Sequence, residues 1–432
     1  MKIGFISLGC SKNLVDSETI MGMLTQQHEL VNNPNIAEAI IINTCGFITS
    51  AKEEAINTIL EMAEYKQKKL QKLIVVGCLA QRYKQELLDE IPEIDRVISI
   101  HEYAHLHEIL EAELKKPLQS YSKSERLISS KPHTAYLKIG EGCSNCCSYC
   151  AIPLIRGKNV SIAMDRLVEQ AQTLARSGVK ELVLIAQDTT CYGMDLYHKP
   201  MLLELLKKLQ KIDGFHWIRI LYMYPDEISD QLIEGIKNLD KVLPYFDIPM
   251  QHASNSVLRR MNRRGTTEEA LKMIKKIRKT FDNPTLRTTF IVGFPEESEA
   301  DYKELFEFVR TVGWDSMGSF TYSNEEDTPA YKMKKQIPEN IKQQRLDKLM
   351  KLQKKIAYEN NKQKIGSIIE VLVEVQDGLS GKYRGRGKHN APDEVDGFVS
   401  FTSERAIPLG SFVKVKISEA LPYDLMGEAV YD

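Results

Sequence analysis

Through residues 1–115, short aliphatic runs alternate with amphipathic stretches. KIGFIS (Lys2–Ser7), AIII (Ala39–Ile42), KLIVV (Lys72–Val76) and RVISI (Arg96–Ile100) are continuous apolar runs. Such runs are expected of strands covered on both faces. Between them, Ser17–Gln27 predicts a helix. A second helix carries Ile56, Ile59, Leu60 and Ala63 at i, i+3, i+4 and i+7, with Ser50 and Glu53 spaced as a capping box. Strands alternating with helices predict a doubly wound parallel sheet.

Residues 116–133 are polar and without core-forming period, which predicts a linker. A second strand–helix series follows over residues 134–337. Its strands start near Ala135, Glu181, Trp217, Phe246, Arg287 and Ser316, and one helix has Leu167, Val168, Ala171 and Leu174 on a single face, with Gly178 as its stop. Six such units predict an open, partial (βα)6 TIM-like barrel rather than a complete eight-fold one. Residues 338–365 predict one long polar helix, with Pro338 at its start and Gly366 past its end. From 366 to 432 the pattern shifts to period-two strands with Gly-rich turns, a small all-β barrel. The fold class is α/β with an appended β-barrel.

The chain has 432 residues, 43% apolar and 27% charged, which excludes a disordered chain. No apolar run reaches the ~18 residues of a membrane span, and the N-terminus lacks a signal-peptide layout, so the expected location is the cytoplasm. With 58 basic and 59 acidic residues the net charge is −1, which argues against a broad face that grips a phosphate backbone. Eight cysteines in such a chain point to metal ligands, redox groups or small buried hydrophobes rather than a disulfide framework.

Four of them, Cys143, Cys146, Cys147 and Cys150, fall within eight residues in GEGCSNCCSYC, just past a predicted strand. A structural zinc site normally takes two separated pairs of ligands, and no second pair follows at zinc-finger spacing. A redox pair of Cys147 and Cys150 normally opens a helix in a different sheet context. Two three-cysteine registers fit an iron–sulfur cluster, 143/147/150 and 143/146/150. Three thiolates leave one iron of a cubane open to a small molecule. Cys10, Cys45 and Cys78 each follow a predicted parallel strand. They should meet at the carboxyl edge of the first sheet, where such folds bind ligands, and make a second three-cysteine metal site. Cys191 lies in a loop and has no assigned role.

GEGCSNCCSYCAIPLIRGK resembles the radical S-adenosylmethionine (SAM) signature C-x3-C-x-aromatic-C, with Tyr149 as the aromatic. The resemblance selects the register Cys143, Cys147, Cys150. With Cys10, Cys45, Cys78 and a C-terminal barrel similar to a TRAM domain, the chain resembles the radical SAM methylthiotransferases over nearly its whole length. GCSKNLVDSE (Gly9–Glu18), QDTTCYGMDLY (Gln187–Tyr197) and TYSNEEDTPA (Thr321–Ala330) resemble the branch acting on an aspartate of small-subunit ribosomal protein S twelve, rather than the tRNA-modifying branch. Glu325, Glu326 and Asp327 fill a loop where the tRNA enzymes typically carry arginine. From Ser367 to Asp432 there are seven basic and eleven acidic residues, a net of −4, which suits a basic protein partner better than RNA, although Tyr383-Arg384-Gly385-Arg386 offers a local RNA contact. Cys146 stands outside the family triad. Ile162 and Glu296 stand where relatives often have Arg and Gly.

The resemblance implies two 4Fe–4S clusters and SAM. One cluster sits on Cys143, Cys147 and Cys150; the auxiliary one, on Cys10, Cys45 and Cys78, carries the sulfur. Reductive SAM cleavage yields a radical that takes hydrogen from the aspartate β-carbon, a C–H too weakly acidic for any side-chain base. The first domain should then close over the barrel mouth. Tyr149, Gln187, Asp188, Gly293 and Pro295 are the implied cofactor contacts, no catalytic residue is implied beyond the cluster ligands, and an electron donor is the implied second partner. The competing readings are a tRNA adenosine methylthiotransferase and a non-catalytic iron–sulfur or zinc carrier.

Overall fold

The computed structural model describes residues 1–116, 126–378, 381–392 and 396–431. Half of the expected linker and the acids Asp393, Glu394 and Asp432 therefore lie outside the described residues.

The first domain is a parallel sheet of β1 (Lys2–Ser7), β2 (Glu29–Val31), β3 (Ala39–Thr44), β4 (Lys72–Gly77) and β5 (Arg96–Ile98), in the order β2-β1-β3-β4-β5. Helices cover both faces. Ile40, Ile42, Leu73 and Val75 pack against Ile59, Met62 and Leu87, while Ile3, Ile41, Ile74 and Val76 pack against Ile20, Leu24 and Leu110. Burial on both faces is why these strands are continuous apolar runs rather than alternating ones. The edge strand β2 is three residues long and has no such signal.

Two local expectations are corrected. The helix Thr49–Ala63 starts one residue before Ser50, is capped at Ile48 without a side-chain hydrogen bond, and so lacks the Ser50/Glu53 box. Its buried stripe is Ala55, Ile59, Met62 and Ala63, whereas Ile56 and Leu60 are 37% and 48% exposed. Both stripes satisfy a 3.6 period, and the sheet selects the one it can cover. The first helix begins at Ser11 rather than Ser17, with Cys10 as its N-cap residue.

The central domain has β6 (Thr134–Lys138), a hairpin of β7 (Gly140–Glu141) and β8 (Val160–Ser161), then β9 (Glu181–Ile185), β10 (Trp217–Ile220), β11 (Tyr245–Asp247), β12 (Thr285–Val292) and β13 (Ser316–Thr321). Parallel pairing runs β6-β9-β10 and β11-β12-β13. An Ile218–Val242 bridge joins the two halves, and among the described residues β6 and β13 do not pair, so the barrel is open. Outward residues such as Leu137, Leu182 and Leu184 meet the surrounding helices. Inward residues Tyr136, Val183, Ile185, Trp217 and Tyr245 form a separate core, completed by Val15 from the first domain and by Leu372 and Ala391 from the third.

The helix Glu339–Lys362 crosses to β14 (Ile368–Gln376), β15 (Tyr383–Gly387), β16 (Val399–Thr402), β17 (Phe412–Ala420) and β18 (Leu425–Val430), a closed barrel ordered β14-β15-β16-β18-β17. This barrel seats under the amino ends of the central strands. Arg386 Nη2 reaches Glu181 at 2.5 Å and Thr134 at 3.1 Å, and Asp396 accepts from Ser316 at 2.5 Å and from Tyr245. Arg386 is buried and paired as well with Glu374, so it is a docking residue and not an RNA contact. Glu374 and Asp396, counted in the barrel's negative charge, are buried in the same seam. Among the described residues no helix is long and apolar enough to cross a membrane.

Candidate functional site

The three N-terminal cysteines stand at the carboxyl ends of three neighbouring strands. Cys10 follows β1 by three residues, and Cys45 and Cys78 directly follow β3 and β4. Gly9 brings β1's end close to Cys45: a Cβ there would lie 2.9 Å from Cys45 Cβ and 3.2 Å from its Sγ. Gly77 (φ +98°) makes the turn that presents Cys78, and Asn13 Oδ1 accepts from the Cys78 thiol at 3.5 Å. Exposure falls from Cys10 through Cys45 to buried Cys78. Burial pushes the Cys78 thiol up to about 11 and outweighs the neighbouring Arg156. Packing acts to raise Cys10 too, but Lys12, two backbone N–H groups and Arg156 together bring it below its ordinary value.

Cys143, Cys147 and Cys150 lie on the loop between β7 and the helix Ile152–Arg156. The loop is pinned on several sides. The Cys143 N–H donates to Gly157 O at 3.0 Å, the Ser148 N–H to Met261 O at 2.9 Å, and the Ala330 N–H to Ser148 O at 2.8 Å. Asn145 donates to Asp188 at 2.7 Å and accepts from Arg264 at 2.8 Å. Burial, with the adjoining thiols, pushes Cys143 up to about 11 and Cys150 to about 12. Such thiols resist ionising alone and suit a positively charged metal centre that stabilises thiolate. Among the described residues no three His, Cys, Asp or Glu side chains could hold a single metal ion. A cubane takes one thiolate per iron, so its ligands stand further apart than those around one ion.

Tyr149 packs against the buried cluster of Val257, Met261, Phe294 and Tyr322. Gln187 donates to Glu141 at 3.2 Å, while its carbonyl oxygen is buried without a partner. Asp188 caps its own turn through the Thr190 N–H at 3.0 Å, besides bracing Asn145. Gly293 (φ +74°) and buried Pro295 form a turn against the long helix, and a Cβ on Gly293 would meet Lys342 Cγ at 2.3 Å. Cys146 is exposed at φ +52°, and the Cys191 thiol donates to Asp188 O at 3.2 Å.

Sequence reasoning missed two groups and the setting of a third. Glu297 is buried and accepts from the Gly293 and Phe294 N–H groups at 2.6 and 3.2 Å, and Arg345 of the long helix holds it at 2.8 Å. Arg156 donates to Cys78 Sγ at 3.5 Å, Asp16 at 3.1 Å and Glu141 at 2.8 Å, and also to Asn13 at 2.5 Å. An arginine at the end of a short helix, beside a glycine, carries no sequence sign of burial. The third is the acidic loop. Glu325 does not face solvent but is buried against Lys52 at 2.9 Å and Arg82 at 3.3 Å, and clasps the first domain to the central one.

One cysteine of the first set reaches the loop of the second at that junction. Cys78 packs on Ala151 and Ile155, and Ala151 adjoins Cys150. Ser11 lies 3.5 Å from the Tyr222 hydroxyl and Lys12 stands 3.5 Å over its ring, so the first domain covers the carboxyl ends of the central strands.

Comparison with known proteins matches three family models: residues 2–99 to "Uncharacterized protein family UPF0004", residues 137–309 to the radical SAM superfamily and residues 365–430 to a TRAM domain. The chain is 49% identical over 446 residues to "Ribosomal protein uS12 methylthiotransferase RimO" of Clostridioides difficile, covering 100% of this chain and 99% of that protein. It is 46% identical to the protein of that name from Clostridium novyi, covering 99% and 97%. Among solved structures, the radical SAM methyltransferase TsrM of Kitasatospora setae aligns at TM-score 0.57 and 9% identity over 85% of this chain and 75% of that one. The cobalamin-dependent radical enzyme OxsB aligns at TM-score 0.52 and 12% identity over 71% and 51%. These two likenesses show the fold alone.

Proposed function

Because the chain belongs to the uS12 methylthiotransferase family of radical SAM enzymes, we propose that it transfers a methylthio group to the β-carbon of an aspartate in ribosomal protein uS12. Full-length identity of 46–49% to relatives of that name is the observation that carries this reading.

SAM and a 4Fe–4S cluster belong to the family's chemistry. In our reading Cys143, Cys147 and Cys150 hold that cluster, which with bound SAM supplies the radical cleavage that no side chain here can perform. We assign a second 4Fe–4S cluster to Cys10, Cys45 and Cys78. The contact of Cys78 with Ala151 supports that assignment, since sulfur transfer needs both centres beside one substrate. The buried, unpartnered Gln187 carbonyl oxygen suits the amino group of SAM. Tyr149 seats the cysteine loop, and Asp188 holds it through Asn145. Gly293 and Pro295 shape the turn that Glu297 fixes, on the adenosine side in our reading. Tyr222 and Lys12 shield the junction from water. A one-electron donor is the second partner that the reaction requires, and the cytoplasm is the expected compartment.

Anaerobic reconstitution tests the assignment. Wild type should hold about eight irons per chain, as two cubanes require. Cys143→Ala should abolish 5′-deoxyadenosine formation, whereas Cys45→Ala should keep it and lose methylthiolation. Loss of SAM cleavage in both would argue against separate roles. Mass spectrometry of a deletion strain decides the substrate: loss of the methylthio group from tRNA alone would overturn the reading.

A further inference from the structure

Beside the junction, the first domain carries a groove of about 510 Å³ between the helices Thr49–Ala63 and Lys84–Glu90. Its floor is apolar: Ile56, Leu60, Leu79, Tyr83, Leu87 and Ile91. Ile56 and Leu60 are the two residues that the sheet leaves uncovered, at 37% and 48% exposure. Glu53, Glu86, Glu90 and Glu326 line the same groove and are exposed. Among the described residues Glu53, Glu86 and Glu90 take part in no ion pair; the Glu326 carboxylate accepts from the Tyr83 hydroxyl at 3.2 Å and its backbone carbonyl from Arg82 at 3.1 Å. The one lysine present, Lys52, is already held by Glu325.

An apolar floor inside a ring of unneutralised carboxylates is complementary to one kind of partner, a segment with an aliphatic face flanked by Lys and Arg. The groove also adjoins the elements that carry Cys45 and Cys78. Leu79 follows Cys78, Thr49 lies four residues past Cys45, and Glu326 belongs to the loop that clasps the two domains. We infer that this groove is a docking surface for a basic, aliphatic segment of the protein substrate, remote from the modified residue. The inference rests on a ribosomal protein being the substrate. Ribosomal proteins are generally basic, and the acidic rim would attract such a chain and raise its local concentration at the barrel mouth.

Ile56→Lys/Leu60→Lys alters only exposed side chains, and Glu53→Gln/Glu86→Gln/Glu90→Gln removes rim charge without touching the floor. Each should raise the KM for the ribosomal protein at least about tenfold. SAM cleavage without protein substrate, iron content and kcat at saturation should stay at wild-type values. The glutamine variant should also flatten the dependence of KM on salt. An unchanged KM in both variants overturns the inference while leaving the activity intact. Failure of wild type to modify the ribosomal protein removes the substrate reading, and the inference with it. If the lysine variant instead turns a dimer into a monomer in light scattering, with KM unchanged, the groove binds a second copy and the inference falls.

Discussion

Arg156 is the side chain on which the junction turns. It is 6% exposed and bonds Asp16, Glu141, Asn13 and Cys78 at once, with Lys138 facing the same two carboxylates. Burial opposes the charge on Glu141, yet Lys138 and Arg156 hold its carboxyl well below the usual range. Removing one partner from a buried network leaves charge unpaired. Arg156→Met should therefore cost about 2–4 kcal/mol, the remaining lysine limiting the loss, and Arg156→Lys should recover part of it. Chemical denaturation of the metal-free protein measures both. At this scale the strand-end setting of Cys10, Cys45 and Cys78 was legible because it is a local property. Arg156 and Glu297 were not, because burial of a charge depends on partners distant in sequence. Glu296 sits at φ +65°, a left-handed conformation that glycine adopts without strain.

Among the elements, the β4 turn leaves no room for a side chain. Gly77 lies at φ +98°, and a Cβ there would sit 2.3 Å from Asn43 Oδ1 and 2.5 Å from Thr44 O. Backbone at that distance cannot yield as a flexible side chain would. Gly77→Ala should destabilise the first domain by about 2–3 kcal/mol. It should also displace Cys78, so that reconstituted iron falls from about eight toward about four per chain; iron quantitation beside a thermal melt checks both. Strand and helix identities followed from the hydrophobic period. Which stripe of the helix Thr49–Ala63 faces inward did not, because Ala55-Ile59-Met62 and Ile56-Ile59-Leu60-Ala63 differ only by a small rotation.

At the scale of the molecule, three domains share one core and two seams. The upper seam joins the thiol triads, with Glu325 clasped by Lys52 and Arg82. The lower seam seats the small barrel through Glu374, Arg386, Glu181 and Arg219. Burial acts to raise Glu374, but His133, Arg386 and Lys131 bring it down to about 2 from 4.5. With the folded value depressed, the unfolded chain binds the proton first as pH falls. The seam's contribution is then present above pH 4.5 and is lost between 4.5 and about 2. Thermal melts between pH 3 and 7 should fall steeply in that window. Glu374→Gln should melt lower at neutral pH and show a shallower fall. The barrel's −4 loses force as a substrate argument at this scale because the barrel seats at the amino ends of the central strands, opposite the cysteine edge, with Glu374, Asp396 and Arg386 buried in that seam.

By itself the sequence determined the three units, the parallel order of strand and helix, the strand-end setting of Cys10, Cys45 and Cys78, and the family. Each of these is written in short-range spacing: period, turn residues and ligand intervals. Only the tertiary structure decided that the acidic loop is a clasp, that Arg386 docks the barrel, and that Ile56 and Leu60 remain in solvent. Those outcomes depend on which charges and apolar faces find partners across hundreds of residues, and pairing at that distance leaves no local trace.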